Sequence, residues 1–551
     1  MSPNPKVPQR CPTTGSKYTG FDLPTELVLS IAGFASRQSL GRLCCVSRRL
    51  CSILVYPLYE TILHLDERQS VLLACTLRTA KPPNWRPHPA EIIKTVTFTD
   101  DEGTTANGWD VSNATKALEN LVRCVPGGTG SPLRTLHWSV CSFMDRLGPL
   151  LMAPGNFPNL KELFVISNGT NRNFMFMHKG GLETFSLELS IDLSDEDEAC
   201  LLYKLGESMQ MLPITSPDLR SLRIKLDMWF EDLPFHGCSE FTNSFNHVRF
   251  PVLEKLDLSV SFRADYGFVG GDEDEEEMDF MPFLTAHPTV VDLSLWAMGT
   301  EPLENIPMFS NLRSFKGVPA DLTLLLLLKP QQLNSIFITL VHRTDYEAPS
   351  FYIPLLDTHM GITRLTIEAS KADGSILKSP DEVSPTTLAA LASSFPNLEH
   401  LDIPLTEPMA QYVKALKSLK KLETIRLHEY RRKKITSKRL LAKAFPHTKY
   451  VQPILNQLVP FLPQLTSVEI CILADDRGPG REVRCTCGQC ESFDEDEDES
   501  EFMLQPAEIE IEYHFQIARP KDGEAKVVLE RSAFIDARPA TMFFNALAAM
   551  L

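Results

Sequence analysis

The sequence predicts an α/β protein in three parts: a short helical module, a long array of strands with returning segments, and a terminal strand hairpin closed by a helix. Three observations carry this reading. A compact helix-start signal, "LPTELVLSI", occupies residues 23–31; the pattern apolar-x-x-apolar-x-apolar recurs about thirteen times between Ile93 and Ile470; and "AEIEIEYHFQI" at 507–517 alternates strictly. A chain of 551 residues exceeds what one hydrophobic core usually supports, so several domains or a repeat array are expected.

Residues 1–20 are dotted with proline and contain no apolar segment of the kind a secretory signal needs, so they read as a disordered arm. The expected location is therefore cytoplasmic and/or nuclear. In the signal that follows, Pro24 suits the first helical position, where a missing N–H is no loss. Glu26 adds a negative charge to the first turn, and Leu27, Ile31, Phe34 and Ala35 share one helix face. A second short helix carries Leu40, Leu43, Cys44 and Val46. Ser47 is the predicted N-cap of a third, which bears Leu50 and Leu54 and is expected to end at Tyr56 and Pro57. Three helices in about 45 residues bury little surface, so the module would gain from packing on another protein.

The segment "LPTELVLSIAGFASRQSLGRLCCVSRRL" resembles the F-box motif in Leu23, Pro24, Glu26, Leu27, Ile31, Leu40, Leu43, Val46, Ser47 and Arg48. It departs from the family pattern at Ala35, at Ser36-Arg37 and at Leu50. The resemblance implies docking on a Skp adaptor and, through it, on a cullin, with Leu23, Pro24, Glu26, Leu27, Ile31, Leu40, Leu43 and Val46 as the adaptor-binding residues. A receptor of this kind needs no catalytic residue, because holding a substrate near a ubiquitin-charged enzyme raises the effective concentration.

The repeated pattern is clearest in "FPNLKELFV" (157–165), "SPDLRSLRI" (216–224), "FPVLEKLDL" (250–258), "HPTVVDLSL" (287–295) and "FPNLEHLDI" (395–403). Weaker copies start at Ile93, Leu133, Leu182, Leu312, Leu333, Ile362, Leu422 and Leu465, with starts roughly 21 to 43 residues apart. The last two apolar positions of each unit are two apart and so share one strand face. Stretches such as Leu322 to Leu328 and Leu388 to Phe395 have the spacing of a returning helix. One unit cannot bury its apolar face alone, and stacking neighbours makes a continuous core. This array resembles a leucine-rich-repeat solenoid with irregular repeat lengths. The side chains beside the buried positions then form an extended surface for a protein substrate, with Lys225, Trp296, Arg364, His400, Arg426 and His428 as candidates.

The implied organisation is an arm (1–20), an F-box (21–65), a linker (66–90), the leucine-rich-repeat solenoid (91–472), an acidic, cysteine-containing insertion (473–506) and a C-terminal strand hairpin and helix cap (507–551). The net charge of -17 says little about partners. Acidic runs at 195–198, 272–279 and 494–501 hold 18 carboxylates and leave the remainder at +1. Such runs read as solvated loops. Residues 414–443 carry twelve Lys or Arg against Glu423 and Glu429, and "RRKK" (431–434) fits a nuclear-import signal, a patch for nucleic acid, a patch for an acidic or phosphorylated substrate segment, or neutralisation of the chain's own acidic loops.

"CTCGQC" offers Cys485, Cys487 and Cys490 as weak metal-ligand candidates, with Cys471 one choice of fourth ligand, but no second cysteine pair completes the signal. No metal or other cofactor is expected. Thirteen cysteines, an odd number, argue for reduced thiols. The longest apolar run, Ala546 to Leu551, is too short to span a bilayer, and no P-loop, nucleophile elbow, zinc-protease or dinucleotide fingerprint occurs. The sequence thus predicts a non-enzymatic substrate receptor of a Skp-cullin-F-box ubiquitin ligase that contacts neither membrane nor nucleic acid. The alternative is a leucine-rich-repeat scaffold binding protein or nucleic acid without a ligase.

Overall fold

A computed structural model of the chain describes residues 23–79, 87–99, 112–125, 130–140, 146–168, 173–192, 196–230, 238–264, 280–297, 309–318, 322, 325–326, 330–340, 359–369, 383–405, 407–431, 446–475, 508–519 and 525–536. They fall into two compact units. The first comprises residues up to Phe98 with Ser112–Thr135 and Gly155–Asn159, and the second comprises the remainder.

The first unit opens with helices α1 (Thr25–Ala32), α2 (Arg37–Cys44) and α3 (Arg48–Tyr59). Pro24 is the N-cap of α1, one position earlier than the sequence suggested, and its carbonyl accepts from Leu27 N and Val28 N. Ser47 caps α3 as expected, accepting from Leu50 N at 3.1 Å. Helix α3 does not stop at Pro57 but runs through it to Tyr59. A proline near a helix end removes one late hydrogen bond, and burial of Leu54 and Val55 just before it holds that turn in place.

Strand β1 (Thr61–Leu65) and helix α4 (Glu67–Thr79) follow at once, then β2 (Thr95–Thr99) and α5 (Ser112–Arg123). The stretch read as a linker therefore contains a helix of 13 residues. Strands β1 and β2 are parallel, with Thr61 opposite Thr95, and α4 packs on α5, where Asn120 Nδ2 donates to Ala74 O at 3.0 Å. Strand β1 escaped the repeat pattern because it leaves α3 directly, without the apolar turn residue that opens the other units. Gly130 has φ of 80°, and a Cβ there would lie 2.2 Å from Gly155 O, so only glycine fits that turn.

In the second unit the strands lie side by side in chain order: β3 (Thr135–Ser139), β4 (Glu162–Asn168), β5 (Thr184–Asp192), β6 (Ser221–Phe230), β7 (Lys255–Ala264), β8 (Asp292–Ala297), β9 (Ser314–Gly317), β10 (Ser335–Leu340), β11 (Arg364–Ala369), β12 (His400–Leu405), β13 (Thr424–Arg431), β14 (Ser467–Asp475), β15 (Glu508–Ala518) and β16 (Lys526–Asp536). From β4 to β14 the pairing is parallel throughout. This is a long open sheet of parallel strands, and each sequence unit from Ile93 to Leu465 supplies one strand, β2 to β14. In β6, for example, Leu219 closes the turn while Leu222 and Ile224 are buried.

A backbone feature joins successive strands of the second unit. The carbonyl just before each strand accepts two N–H groups from the next: Lys161 O from Glu183 and Thr184, Glu183 O from Arg220 and Ser221, Arg220 O from Glu254 and Lys255. The series continues through Glu254, Val291, Arg313, Asn334, Thr363 and Glu399 to Glu423, at 2.7–3.3 Å. Returning segments include α6 (Leu147–Met152), α7 (Glu196–Thr215), α8 (Cys238–Asn246), α9 (Met281–Thr285) and the helix Pro385–Ser394. In the last, Ser384 caps Thr387 N at 3.0 Å and Leu388 and Leu391 are buried, as their spacing predicted. The stretch Leu322 to Leu328 lies largely outside the described residues.

Of the acidic runs, the first lies partly in a helix, because α7 begins at Glu196, while Asp195 lies outside the described residues. The other two lie outside the described residues. So do "RRKK" beyond Arg431, Cys485, Cys487, Cys490, the terminal helix and the N-terminal arm. The terminal hairpin forms, but it extends the sheet: β15 pairs antiparallel with β14, and β16 with β15, while Ile511, Tyr513, Phe515 and Ile517 prolong the buried face. Among the described residues no helix is long and apolar enough to cross a membrane.

Candidate functional site

Two surfaces stand out, one in each unit. In the first, the core between α1, α2 and α3 is made of Val28, Ala32, Leu40 and Leu54, with Ala35, Leu43, Cys44, Leu50, Ile53 and Leu58 packed against it. Of the residues that periodicity places on one face of α1, Ala35 packs against this core and the other three are left outside. Leu27 is 51% exposed, Ile31 53% and Phe34 92%, and Leu23, Val46 and Tyr56 are exposed too. Val28 and Ala32 take the inward places because small side chains let three short helices approach closely. Pro24 and Glu26 are exposed beside the patch. Leu40 is buried and Leu43 half-buried, so these two support the bundle instead of lining the patch.

The patch is held by polar fasteners. Ser36 caps α2 through Ser39 N at 3.3 Å, doing what aspartate does at such a position. Arg49 donates to Leu23 O at 2.9 Å and ties the start of α1 to α3. The Cys44 thiol, desolvated by burial and set beside Cys51, is pushed up to about 11 and stays a neutral packing group.

In the second unit, strand alternation sends one set of side chains to the core and the other to the open face. Because registers are continuous, the open-face residues align in rows across strands. One row runs Phe164, Ser186, Arg223, Asp257, Ser294, Lys316, Phe337, Thr366, Asp402, Arg426, Glu469 and His514. Arg364 and His400 belong to the row on one side of it. Lys225, Trp296 and His428 belong to the row on the other. All six residues singled out in the sequence therefore share one face, across β6 to β13. A shallow groove of about 270 Å³ lies over this face between β4 and β9, lined by Phe164, Ser186, Arg223, Asp257, Ser294 and Lys316.

The face is polar and largely satisfied by its own cross-strand pairs. Lys225 pairs with Glu188, Arg223 with Asp257 at 3.2 Å and Lys255 with Asp292 at 3.5 Å. Lys316 Nζ sits 4.4 Å over the Phe337 ring, His137 stacks on Phe164, and Trp296 is half-buried. His400 Nδ1 meets Thr424 Oγ1 at 2.7 Å, and His428 Nε2 meets Asp402 Oδ1 at 2.9 Å. Arg364 is exposed. Arg426 lies between β12 and β14. Burial disfavours its charge, but Cys471, Glu469 and Asp402 outweigh that and hold the guanidinium above its ordinary value.

Sequence reasoning overlooked Asp402, Glu469, Glu512 and His514, which complete the cluster around Arg426 and His428. For the last three the parity of "SVEICIL" and "EYHFQ" carried the signal, since Glu469 and Cys471, and likewise Glu512 and His514, stand two residues apart with buried residues between them. On the helical side, residues 21–64 match the F-box-like family. That match covers the exposed apolar patch and its fasteners. No curated protein matches the chain.

Proposed function

We propose that the chain is the substrate-recognition subunit of a Skp-cullin-F-box ubiquitin ligase, with residues 23–59 docking on the Skp adaptor and a leucine-rich-repeat solenoid holding a protein substrate. The observation that carries it is the exposed patch of Leu23, Leu27, Ile31, Phe34 and Val46, within a segment that matches the F-box-like family. F-box domains bind adaptors of the Skp class. Burying an exposed Leu, Ile, Phe or Val on a partner is worth about 1.5–3 kcal/mol per side chain before association costs. Several together suffice for a stable complex. The rows of the open face support the second half of the reading, because they present polar and aromatic groups over many adjacent strands.

The test is binding of the purified chain to a purified Skp adaptor. Replacing Leu27 and Ile31 with glutamate is expected to weaken binding by about 100-fold or more. The melting midpoint should change little, since about half of each side chain is already in water. Wild-type protein that fails to bind at micromolar concentration, or a double variant that binds like wild type, overturns the proposal in favour of a scaffold without a ligase.

A further inference from the structure

At the β14–β15 end of the open face, two strands that pair antiparallel each contribute two polar residues. Glu469 is opposite His514 and Cys471 is opposite Glu512. Arg426 takes one oxygen of each carboxylate, with Nε 2.9 Å from Glu469 Oε1 and Nη2 3.6 Å from Glu512 Oε1. The first contact is ionic and lies off the hydrogen-bond direction. The second oxygens turn to the His514 imidazole: Glu469 Oε2 is 3.7 Å from Nδ1 and Glu512 Oε2 is 3.5 Å from Nε2.

Two independent facts make this more than an acidic cluster. Glu512 is only 7% exposed, and a carboxylate buried to that degree is costly unless a cation or strong hydrogen bonds hold it. Among the described residues its Oε1 receives only the weak Cys471 thiol at 3.9 Å and the Arg426 contact. Meanwhile His514 Nε2 is itself buried and makes no hydrogen bond among the described residues. A buried acceptor and a buried imidazole nitrogen thus face each other at 3.5 Å without a proton geometry that joins them. Ligand atoms of Glu469, Glu512 and His514 all lie within 4.8 Å of one another, close enough that small side-chain rotations would bring all three onto one ion.

We propose that Glu469, Glu512 and His514 form a binding site for a divalent transition metal of the zinc class. Two carboxylates and an imidazole suit zinc and its neighbours better than calcium or magnesium, which take oxygen alone. Three protein ligands leave one position for water or for a side chain of a bound partner. Arg426 then serves as outer support, orienting both carboxylates through their other oxygens. The ion would tie β15, and with it the terminal hairpin, to β14.

The experiment uses the full chain carrying Cys485→Ser, Cys487→Ser and Cys490→Ser, which removes thiols able to compete. After stripping with a chelator, equilibrium dialysis against Zn2+ is expected to give about one bound equivalent and a raised melting midpoint. Glu512→Gln combined with His514→Gln, both close in shape, is expected to weaken binding by about 100-fold and abolish the midpoint shift. Co2+ should give the visible bands of a low-coordinate N/O site, and these should vanish in the same variant. Absence of bound Zn2+, or binding indifferent to the Gln pair, overturns the proposal.

Discussion

The three short helices and the long sheet solve the packing problem in opposite ways. Helices α1 to α3 turn Val28 and Ala32 inward and leave Leu27, Ile31 and Phe34 in water. The strands do the reverse. Phe185, Leu222, Ile224 and Leu401 are sealed, and the open face carries paired charges and hydroxyls. The contrast teaches that exposed surface has two meanings. A spare apolar face needs a partner to cover it, whereas a self-paired polar face can meet a partner only by exchanging contacts that water and neighbours already satisfy.

The sharpest way to break this comparison is to make one substitution in both places. Phe185→Ala should cost about 3–5 kcal/mol in denaturant unfolding, because it opens a cavity in the sheet core. Phe34→Ala should change stability by less than about 0.5 kcal/mol while weakening adaptor binding. A large loss of stability at Phe34 would mean that the patch is covered within the chain.

A smaller effect should come from pH. His287 accepts from Phe250 N through Nε2 at 2.9 Å, so its Nδ1–H donates to Phe283 O at 2.6 Å and the ring is fixed neutral. Burial, and secondarily Arg249, hold its pKa below the ordinary value against the opposing pull of the Phe283 carbonyl. The unfolded chain therefore takes up this proton first. Stability should decline as pH falls below about 6.5 and continue to decline until the folded ring also protonates. His287→Gln should remove that component from melting curves recorded between neutral and mildly acidic pH.

The smallest effect tests the open face itself. Lys255→Ala breaks an exposed pair with Asp292 and should cost no more than about 1 kcal/mol. A cost comparable to Phe185→Ala would show that the rows hold the sheet together, and would remove the distinction between the two surfaces.

Much of the sheet was legible because its signal is repeated: an apolar turn residue and two apolar strand residues fix register and face together. The six surface residues followed from that parity alone. The helical module was legible as three helices, while periodicity alone did not say whether the shared face of α1 turns inward or outward. On a short helix Leu27 and Val28 lie only 100° apart, and side-chain size at the contact decides which goes in. Nor could sequence spacing reveal the cluster at Glu469, Glu512 and His514. Its members meet only when β15 reverses direction and pairs antiparallel with β14, across an insertion whose length conceals the pairing.

The doubled carbonyl joint between successive strands has one further implication. Each joint is made of main-chain atoms and is chemically the same at Lys161 as at Asn334 or Glu423. The strands are therefore interchangeable modules so far as their connection is concerned. Excising one whole module, for instance 334–362, would bring Thr363 up to Arg313, whose carbonyl would accept from Thr363 N and Arg364 N in place of Asn334 N and Ser335 N. Such a shortened protein should heal its seam, and the length of the array is free to drift while its joinery is not.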